Sequence, residues 1–140
     1  MRAIGHPVVH VRLSSEAPDL DVFVLEEVDG NGNSTYLTQG KLRASHRGLS
    51  RAPFDNLALP WHNHFQSERQ PIPAEMPVER VFDFLSTAYE FSKEKSIRLT
   101  IAFADADNLD TPVIDPAPEV HLLRGKDHPS LVQLPVVQSR

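Results

Sequence analysis

Hydrophobic and polar residues alternate with a period of two in several short segments of this 140-residue chain. The clearest segment begins at Ser96, and its apolar positions Ile97, Leu99, Ile101 and Phe103 fall on one face. Such alternation is typical of a β-strand with one face in a core. The strand continues into a run of short polar side chains that favours a turn, Asp105, Asp107, Asn108 and Asp110. We expect this junction to lie at the centre of the domain.

The same criteria predict about eight strands in all. Leu20 to Val28 is apolar on both faces in its middle, which indicates a central place in its sheet. Gly40 is expected to mark a bulge or bend. The other predicted strands are Pro7 to Ser14, Ser34 to Gln39, Lys41 to Arg47, Pro77 to Leu85, Ala88 to Phe91, Glu119 to Leu123 and Leu131 to Val137.

Twelve prolines against six glycines divide the chain into short pieces and leave little room for helices. Gly48 to Met76 is the long irregular segment, with a short helical turn expected near Gln66 to Gln70. A loop of this length is usually functional or packs on something else. We therefore predict one all-β domain over residues 1–140, a jelly-roll β-sandwich of antiparallel strands with long proline-rich loops.

Composition narrows the class of partner. The net charge is −5 and the pI about 5.7, which argues against nucleic acid or an anionic membrane as the main partner. The chain has no cysteine, so disulfides, thiolate metal sites and cysteine catalysis are excluded. No signal peptide or membrane-spanning run is readable, and a cytoplasmic location is the expectation.

The sequence predicts no catalytic residue of its own. Serine hydrolases of the α/β type carry the nucleophile in a Gly-x-Ser-x-Gly turn. The nearest run, from Gly48 through Ser50 to Ala52, lacks the second glycine. A self-contained Ser-His-Asp site is therefore not expected.

No metal and no cofactor is predicted either. The acidic turn offers oxygen ligands for Ca²⁺, but its spacing misses the EF-hand, and such clusters more often cap tight turns. His62 and His64 could give zinc two imidazoles, but a third ligand is not visible in the sequence.

The long loop from Gly48 to Met76 is the surface that says most about possible ligands and partners, because it carries aromatic residues. Loops with an exposed tryptophan can stack sugars or dock other domains, or they can cover the open end of their own core. A basic stripe, Lys41, Arg43, His46, Arg47 and Arg51, is usually a solvated sheet face and could instead face an acidic partner. The interface or ligand-binding candidates are Trp61, His62, His64, Asp105, Asp107, Asn108 and Asp110.

Several motifs occur together in an order that resembles a known family. They include Gly5-His6-Pro7-Val8-Val9, Gly40-Lys41-Leu42-Arg43-Ala44, Pro60-Trp61-His62, Ala104-Asp105-Ala106-Asp107-Asn108 and His128-Pro129-Ser130. This order is similar to the C-terminal domain of X-Pro dipeptidyl-peptidases and cocaine-esterase-like serine hydrolases. The resemblance covers nearly the whole chain.

The resemblance implies a jelly-roll sandwich of galactose-binding-like shape that follows a catalytic α/β-hydrolase domain. This chain would then be the non-catalytic portion of an acyl hydrolase acting on ester or amide bonds, and its partner would be the catalytic domain or chain. The alternative is a stand-alone carbohydrate-binding sandwich that uses Trp61. Members of the family have a further strand before the Gly-His-Pro run, and here only Met1 to Ile4 precede it. Either the chain is a fragment or a separate gene product, or one sheet has an unpaired edge through which a homo-oligomer could form.

Overall fold

The computed structural model describes residues 1–16, 22–74, 76–103, 115–116 and 118–138. These residues contain ten β-strands and no α-helix. The strands are Arg2–Gly5 (β1), Val8–Ser15 (β2), Val22–Val28 (β3), Ser34–Gly40 (β4), Val78–Asp83 (β5), Thr87–Glu90 (β6), Ser96–Ala102 (β7), Val120–Leu123 (β8), Leu131–Gln133 (β9) and Val136–Val137 (β10). The all-β prediction is confirmed, with ten strands where about eight were expected.

The ten strands form three antiparallel sheets. Their orders are β10–β1–β6, β5–β2–β8 with β9 also paired to β2, and β4–β3–β7. β3 lies between β4 and β7, so the prediction that this segment is central in its sheet is confirmed. β7 pairs with β3, and the acidic half of the junction that we expect at the centre of the domain, Asp105 to Asp110, lies outside the described residues. β2 pairs with three strands, β5, β8 and β9.

The core forms between β2 and its neighbours. Val9, Val11 and Leu13 alternate along β2 and are each no more than 1% exposed, as their period of two predicts. They pack with Leu42, Phe82 and Phe84, and Leu99, Ile101 and Phe103 lie partly buried against this cluster. Full burial of one such side chain contributes about 1.5–3 kcal/mol. The core thus joins β2 to the apolar face of β7.

The first residues form a strand that the sequence analysis did not anticipate. β1 lies between β6 and β10, with Ala3 opposite both Tyr89 and Val136. The backbone N–H of Phe91 also donates to the carbonyl oxygen of Met1 at 2.7 Å. A strand therefore begins before the Gly-His-Pro run, and it has a partner strand on each side.

The predicted strand from Lys41 to Arg47 is wrong. A 3-10 turn occupies Ala44–His46, and its first two residues are buried. The Arg47 guanidinium donates to the carbonyl oxygens of Ala44 and Gln70. A basic side chain that binds these carbonyls holds the backbone in a turn, and Leu42 and Ala44 are buried without a strand. The helical turn expected near Gln66 is confirmed as a 3-10 turn, Gln66–Glu68.

Gly40 allows close packing against Phe82. The bulge that we expected at Gly40 lies elsewhere in the β3–β4 pair. The register of β3 against β4 shifts between Leu25 and Glu26, opposite Thr38 and Tyr36. At Gly40 a Cβ would lie 2.8 Å from a ring carbon of Phe82. The absence of a side chain therefore lets the end of β4 pack on the core aromatic.

Candidate interface site

The candidate site is the loop 48–76, which lies between the Ala44–His46 turn and β5. Its backbone is held by local hydrogen bonds. Asp55 Oδ1 accepts from the Leu57 N–H at 3.0 Å, and Asn56 Nδ2 donates to the Leu59 carbonyl oxygen at 2.6 Å. Asp and Asn favour such turns because their short side chains bond the nearby backbone. Residues 55–59 of the loop therefore have a defined shape without a strand or a helix.

Three residues of this loop other than glycine have positive φ. The angles are 59° at Leu57, 58° at Ala58 and 58° at His64. An L-residue in this left-handed region costs roughly 1–2 kcal/mol. Backbone strain of this kind persists only where surrounding contacts enforce it, and it concentrates at functional sites.

Trp61 is half-buried and fixed from three sides. Its indole N–H donates to Asn63 Oδ1 at 3.1 Å, and its carbonyl oxygen accepts from the Ser50 N–H at 2.9 Å. The ring of Phe54 meets it edge-on, with centroids 5.0 Å apart. Edge-to-face aromatic pairs add about 0.5–1.5 kcal/mol beyond burial. The indole nitrogen is thus already used within the loop.

His62 attaches the loop to the edge of β5. Its Nδ1 lies 3.0 Å from the carbonyl oxygen of Gly48, and its Nε2 lies 2.9 Å from that of Val81. The side chain is buried. Carbonyl oxygens only accept hydrogen bonds, so a ring nitrogen that carries a proton donates to the carbonyl oxygen that it faces. His62 therefore acts as a structural clamp that covers an exposed strand edge.

His64 points into a cluster of imidazoles. Its ring centroid lies 5.5 Å from that of His46 and 5.9 Å from that of His62. Burial lowers the pKa of His64, and the neighbouring His62 and His46 lower it further. A lowered pKa means that His64 is neutral at pH 7, where its ring can both donate and accept a hydrogen bond.

Two cavities lie beside the loop and share Leu49 and Ser50. One, of about 350 Å³, is lined mainly by polar side chains, among them His46, His64 and Arg69. The other, of about 380 Å³, is more apolar and is lined by Trp61, Pro60, Leu59, Val8 and His10. The site thus has a polar half and an apolar half side by side.

The structure brings three of the predicted site residues together, namely Trp61, His62 and His64. The other four, Asp105, Asp107, Asn108 and Asp110, lie outside the described residues. Within the described residues, no group of three or more His, Asp or Glu side chains could hold a metal ion. The zinc alternative for His62 is weakened further because both of its ring nitrogens already face carbonyl oxygens.

Sequence reasoning missed His46, Leu49 and Leu57. The predicted strand from Lys41 to Arg47 contains His46, whose approach to His64 depends on a turn that has no strong local signal. Leu57 is 74% exposed. Exposed leucines are common and carry little information singly, so only the positive φ sets this one apart.

Comparison with known proteins identifies the class of domain. Residues 1–132 match the family model of the X-Pro dipeptidyl-peptidase C-terminal non-catalytic domain. The chain belongs to this family. Among the described residues, no helix is long and apolar enough to cross a bilayer.

Two curated relatives come from Mycobacterium bovis and Mycobacterium tuberculosis, and each is named "Putative serine esterase". Each is 37% identical over 143 residues, which is 99% of this chain and 22% of the relative. This chain therefore spans less than a quarter of their length. A solved CocE/NonD family hydrolase from Staphylococcus aureus matches with a TM-score of 0.76 and 19% identity, over 97% of this chain and 28% of that chain. This likeness shows a shared fold.

Proposed function

We propose that this chain is the accessory β-domain of a larger serine hydrolase that acts on ester or amide bonds. Its role is to pack on the catalytic α/β-hydrolase portion and to complete that portion's surface. The observation that carries this proposal is the match of residues 1–132 to a domain described as C-terminal and non-catalytic. The short span of this chain on its esterase-named relatives, 22% of their length, supports it.

The finer fold and the location are parts of the same proposal. A jelly-roll sandwich of galactose-binding-like shape is consistent with a core that joins the apolar faces of β2 and β7. A cytoplasmic location is consistent with the absence of cysteine from the sequence.

Trp61, His62 and His64 take structural and interface roles in this proposal. His62 holds the loop to β5, Trp61 supports the apolar half of the site, and His64 lines the polar half. None of the three is given a step in the hydrolysis. The chemistry, an acyl transfer through an activated serine, is assigned to the catalytic portion.

The first test uses the isolated chain with a chromogenic ester and a serine-directed phosphonate. We expect no hydrolysis above the buffer rate and no covalent labelling of the chain. Turnover that the phosphonate abolishes would refute the non-catalytic role.

The second test uses a chimaera, in which this chain replaces the matching segment of the Mycobacterium tuberculosis relative. We expect the chimaera to regain the esterase activity that deletion of that segment removes. An active deletion protein would show that the domain is not needed for catalysis.

A carbohydrate-binding module is the second candidate function. The apolar cavity beside Trp61 favours it, because His10 and Gln133 lie on the same cavity wall and offer polar groups to a sugar. Glycan-array binding that is lost in Trp61→Ala would support this alternative, and an array without binding would remove it.

A further inference from the structure

Three imidazoles meet where the Ala44–His46 turn, the loop 48–76 and β5 come together, and they are called the imidazole cluster below: His46, His62 and His64. The ring centroid of His64 lies 5.5 Å from that of His46 and 5.9 Å from that of His62. We infer that this cluster is a pH-sensitive switch, in which acid separates His64 from the other two rings and opens the loop at that point. The inference concerns this chain alone and does not depend on the proposed function.

The three rings are not held equally. His46 ends a 3-10 turn whose first two residues are buried. His62 is buried, and its ring nitrogens face the carbonyl oxygens of Gly48 and Val81 at 3.0 and 2.9 Å. Within the described residues, the side chain of His64 makes ring contacts but no hydrogen bond. His64 is therefore the member of the cluster that moves at the lowest cost.

The segment 63–69 carries His64 and lies between two fixed points. Before it, the loop is tied to β5 by the histidine contact just described. After it, the Gln70 N–H donates to a carbonyl oxygen of the 3-10 turn at 2.7 Å. Between these points, the Asn63 amide donates to the Glu68 carboxylate at 3.1 Å. Opening therefore involves this segment, while the turn and β5 stay in place.

Backbone strain at His64 favours the open form. Its φ is 58°, which lies in the left-handed region where an L-residue is sterically crowded. Such a conformation persists only where surrounding contacts enforce it. Once the segment 63–69 separates from the turn, the backbone of His64 can return to an ordinary conformation.

Positive groups surround His64. The charged or titratable groups that adjoin it are His46 and Arg47 from the turn and His62, Glu68 and Arg69 from the loop. β5 meets the cluster through a carbonyl oxygen, that of Val81. Glu68, the carboxylate in this set, already accepts hydrogen bonds from Asn63. A proton on His64 therefore has more cations than anions near it, and like charges this close raise the free energy of the closed form.

Proton linkage gives the direction of the switch. In the closed loop, burial and the two neighbouring imidazoles hold the pKa of His64 below its ordinary 6.5. In the open loop the ring is hydrated and apart from the other two, so its pKa returns towards 6.5. The open form then binds more protons, and acid favours it. Each proton changes the ratio of open to closed molecules by up to about tenfold per pH unit below 6.5.

Opening changes the surroundings of Trp61, the only tryptophan of the chain. Its indole N–H donates to Asn63 Oδ1 at 3.1 Å, and Asn63 belongs to the moving segment. The indole is half-buried in the closed form, so loss of this hydrogen bond makes it more accessible. The fluorescence of Trp61 therefore reports the opening.

The test follows acrylamide quenching of Trp61 and far-UV circular dichroism of the chain from about pH 8 to about pH 5. We expect the quenching constant to rise as the pH falls below 6.5, while the β-sheet signal stays constant. Quenching that is independent of pH would overturn the inference. Quenching that changes only together with the β-sheet signal would also overturn it, because the event would then be global unfolding.

Matched variants test which ring is the sensor. His64→Asn removes the titrating group and supplies a residue that tolerates positive φ, so it should abolish the pH-dependent rise in quenching. His46→Gln should weaken the rise, because one of the repelling charges is removed, and it keeps the test decisive if His64→Asn does not fold. His121→Gln is the control, since its side chain is exposed and lies outside the cluster. An equal rise in His64→Asn and the parent chain would contradict the inference.

His10 needs a separate control, because it lines the apolar cavity together with Trp61. His10→Gln should keep the pH-dependent rise in quenching. If His10→Gln abolished the rise and His64→Asn kept it, the sensor would lie in the apolar cavity and the inference would be overturned.

Discussion

The carboxylate of Glu27 lies 2.8 Å from the ammonium nitrogen of Lys95, although Glu27 is 1% exposed. The same carboxylate accepts hydrogen bonds from the Tyr89 hydroxyl at 2.6 Å and the Ser92 N–H at 3.1 Å. These three donors connect β3 to β6 and to the segment before β7. A buried carboxylate is tolerated only with such partners.

Acid should weaken the fold through Glu27. The hydrogen bond from Lys95, followed by that from Tyr89, holds the pKa of Glu27 below its ordinary 4.5. The stabilisation is therefore complete above pH 4.5 and is lost as the pH falls through the lower folded-state pKa. Glu27→Gln should melt lower than the parent chain at pH 7 and lose less stability between pH 5 and 3. Glu94→Gln is the exposed control, and parallel melting curves for Glu27→Gln and the parent chain would contradict this account.

His64 should titrate below its ordinary pKa. Burial and the two neighbouring imidazoles lower the pKa of His64 from 6.5. The unfolded chain then binds more protons than the folded one, so this contribution to stability is present above pH 6.5 and falls as the pH drops below it. Proton NMR of the ring should show the midpoint below 6.5, and His46→Gln should move it upward. A midpoint at or above 6.5 would refute the described cluster.

Loss of the His62 clamp should loosen the loop and destabilise the domain. His62→Leu removes the ring nitrogens that face the carbonyl oxygens of Gly48 and Val81, so a buried hydrogen bond is lost. Loss of a partner from a buried polar group costs about 1–3 kcal/mol. Denaturant unfolding should show this loss in His62→Leu and almost none in His121→Leu, whose side chain is exposed. An unchanged midpoint for His62→Leu would show that the clamp is not stabilising.

Gly40→Ala should strain the core, because it adds a methyl group where the structure leaves no room. It would lie 2.8 Å from a Phe82 ring carbon and 3.0 Å from the carbonyl oxygen of Asp83. Overpacking of this kind costs about 1–3 kcal/mol. Gly30→Ala is the control, because no atom lies within 4 Å of its added carbon. Equal unfolding free energies for the two variants would contradict the close contact.

Relief of backbone strain should stabilise the isolated chain. Ala58 has a φ of 58°, which glycine adopts at no steric cost. Removal of the strain stabilises the folded chain by roughly 1–2 kcal/mol. Glycine also gives the unfolded chain more conformational entropy, which costs about 0.5–1 kcal/mol, so Ala58→Gly should stabilise the fold slightly. Ala52→Gly, at a position without positive φ, should destabilise it instead. Destabilisation by Ala58→Gly would be evidence against the left-handed conformation.

Strand patterns were readable where one face of a strand is buried and the other exposed. β2 was predicted almost to the residue because Val9, Val11 and Leu13 alternate with polar neighbours. β1 was missed because four residues with one buried position, Ala3, carry too little pattern. The Ala44–His46 turn was missed because its anchors, Gln70 and Pro71, are more than twenty residues away in the sequence.

The sequence shows which residues the loop contributes to the candidate site, but it does not show their arrangement. Trp61, His62 and His64 stand close together in the sequence, so their proximity needed no fold. The role of His62 depends on Val81, and the cluster depends on His46, and both belong to other elements. A short motif gives no information on partners that only the tertiary structure supplies.

The contacts that hold the loop at its two ends bind main-chain atoms. His62 meets the carbonyl oxygens of Gly48 and Val81, the Ser50 N–H donates to the Trp61 carbonyl oxygen, and the Gln70 N–H donates to that of Ser45. Main-chain carbonyl and N–H groups are present at a position whichever side chain it carries. Residues 53–59 could therefore be exchanged for another sequence of equal length without loss of these anchors, and the domain offers a frame on which a new binding loop could be engineered.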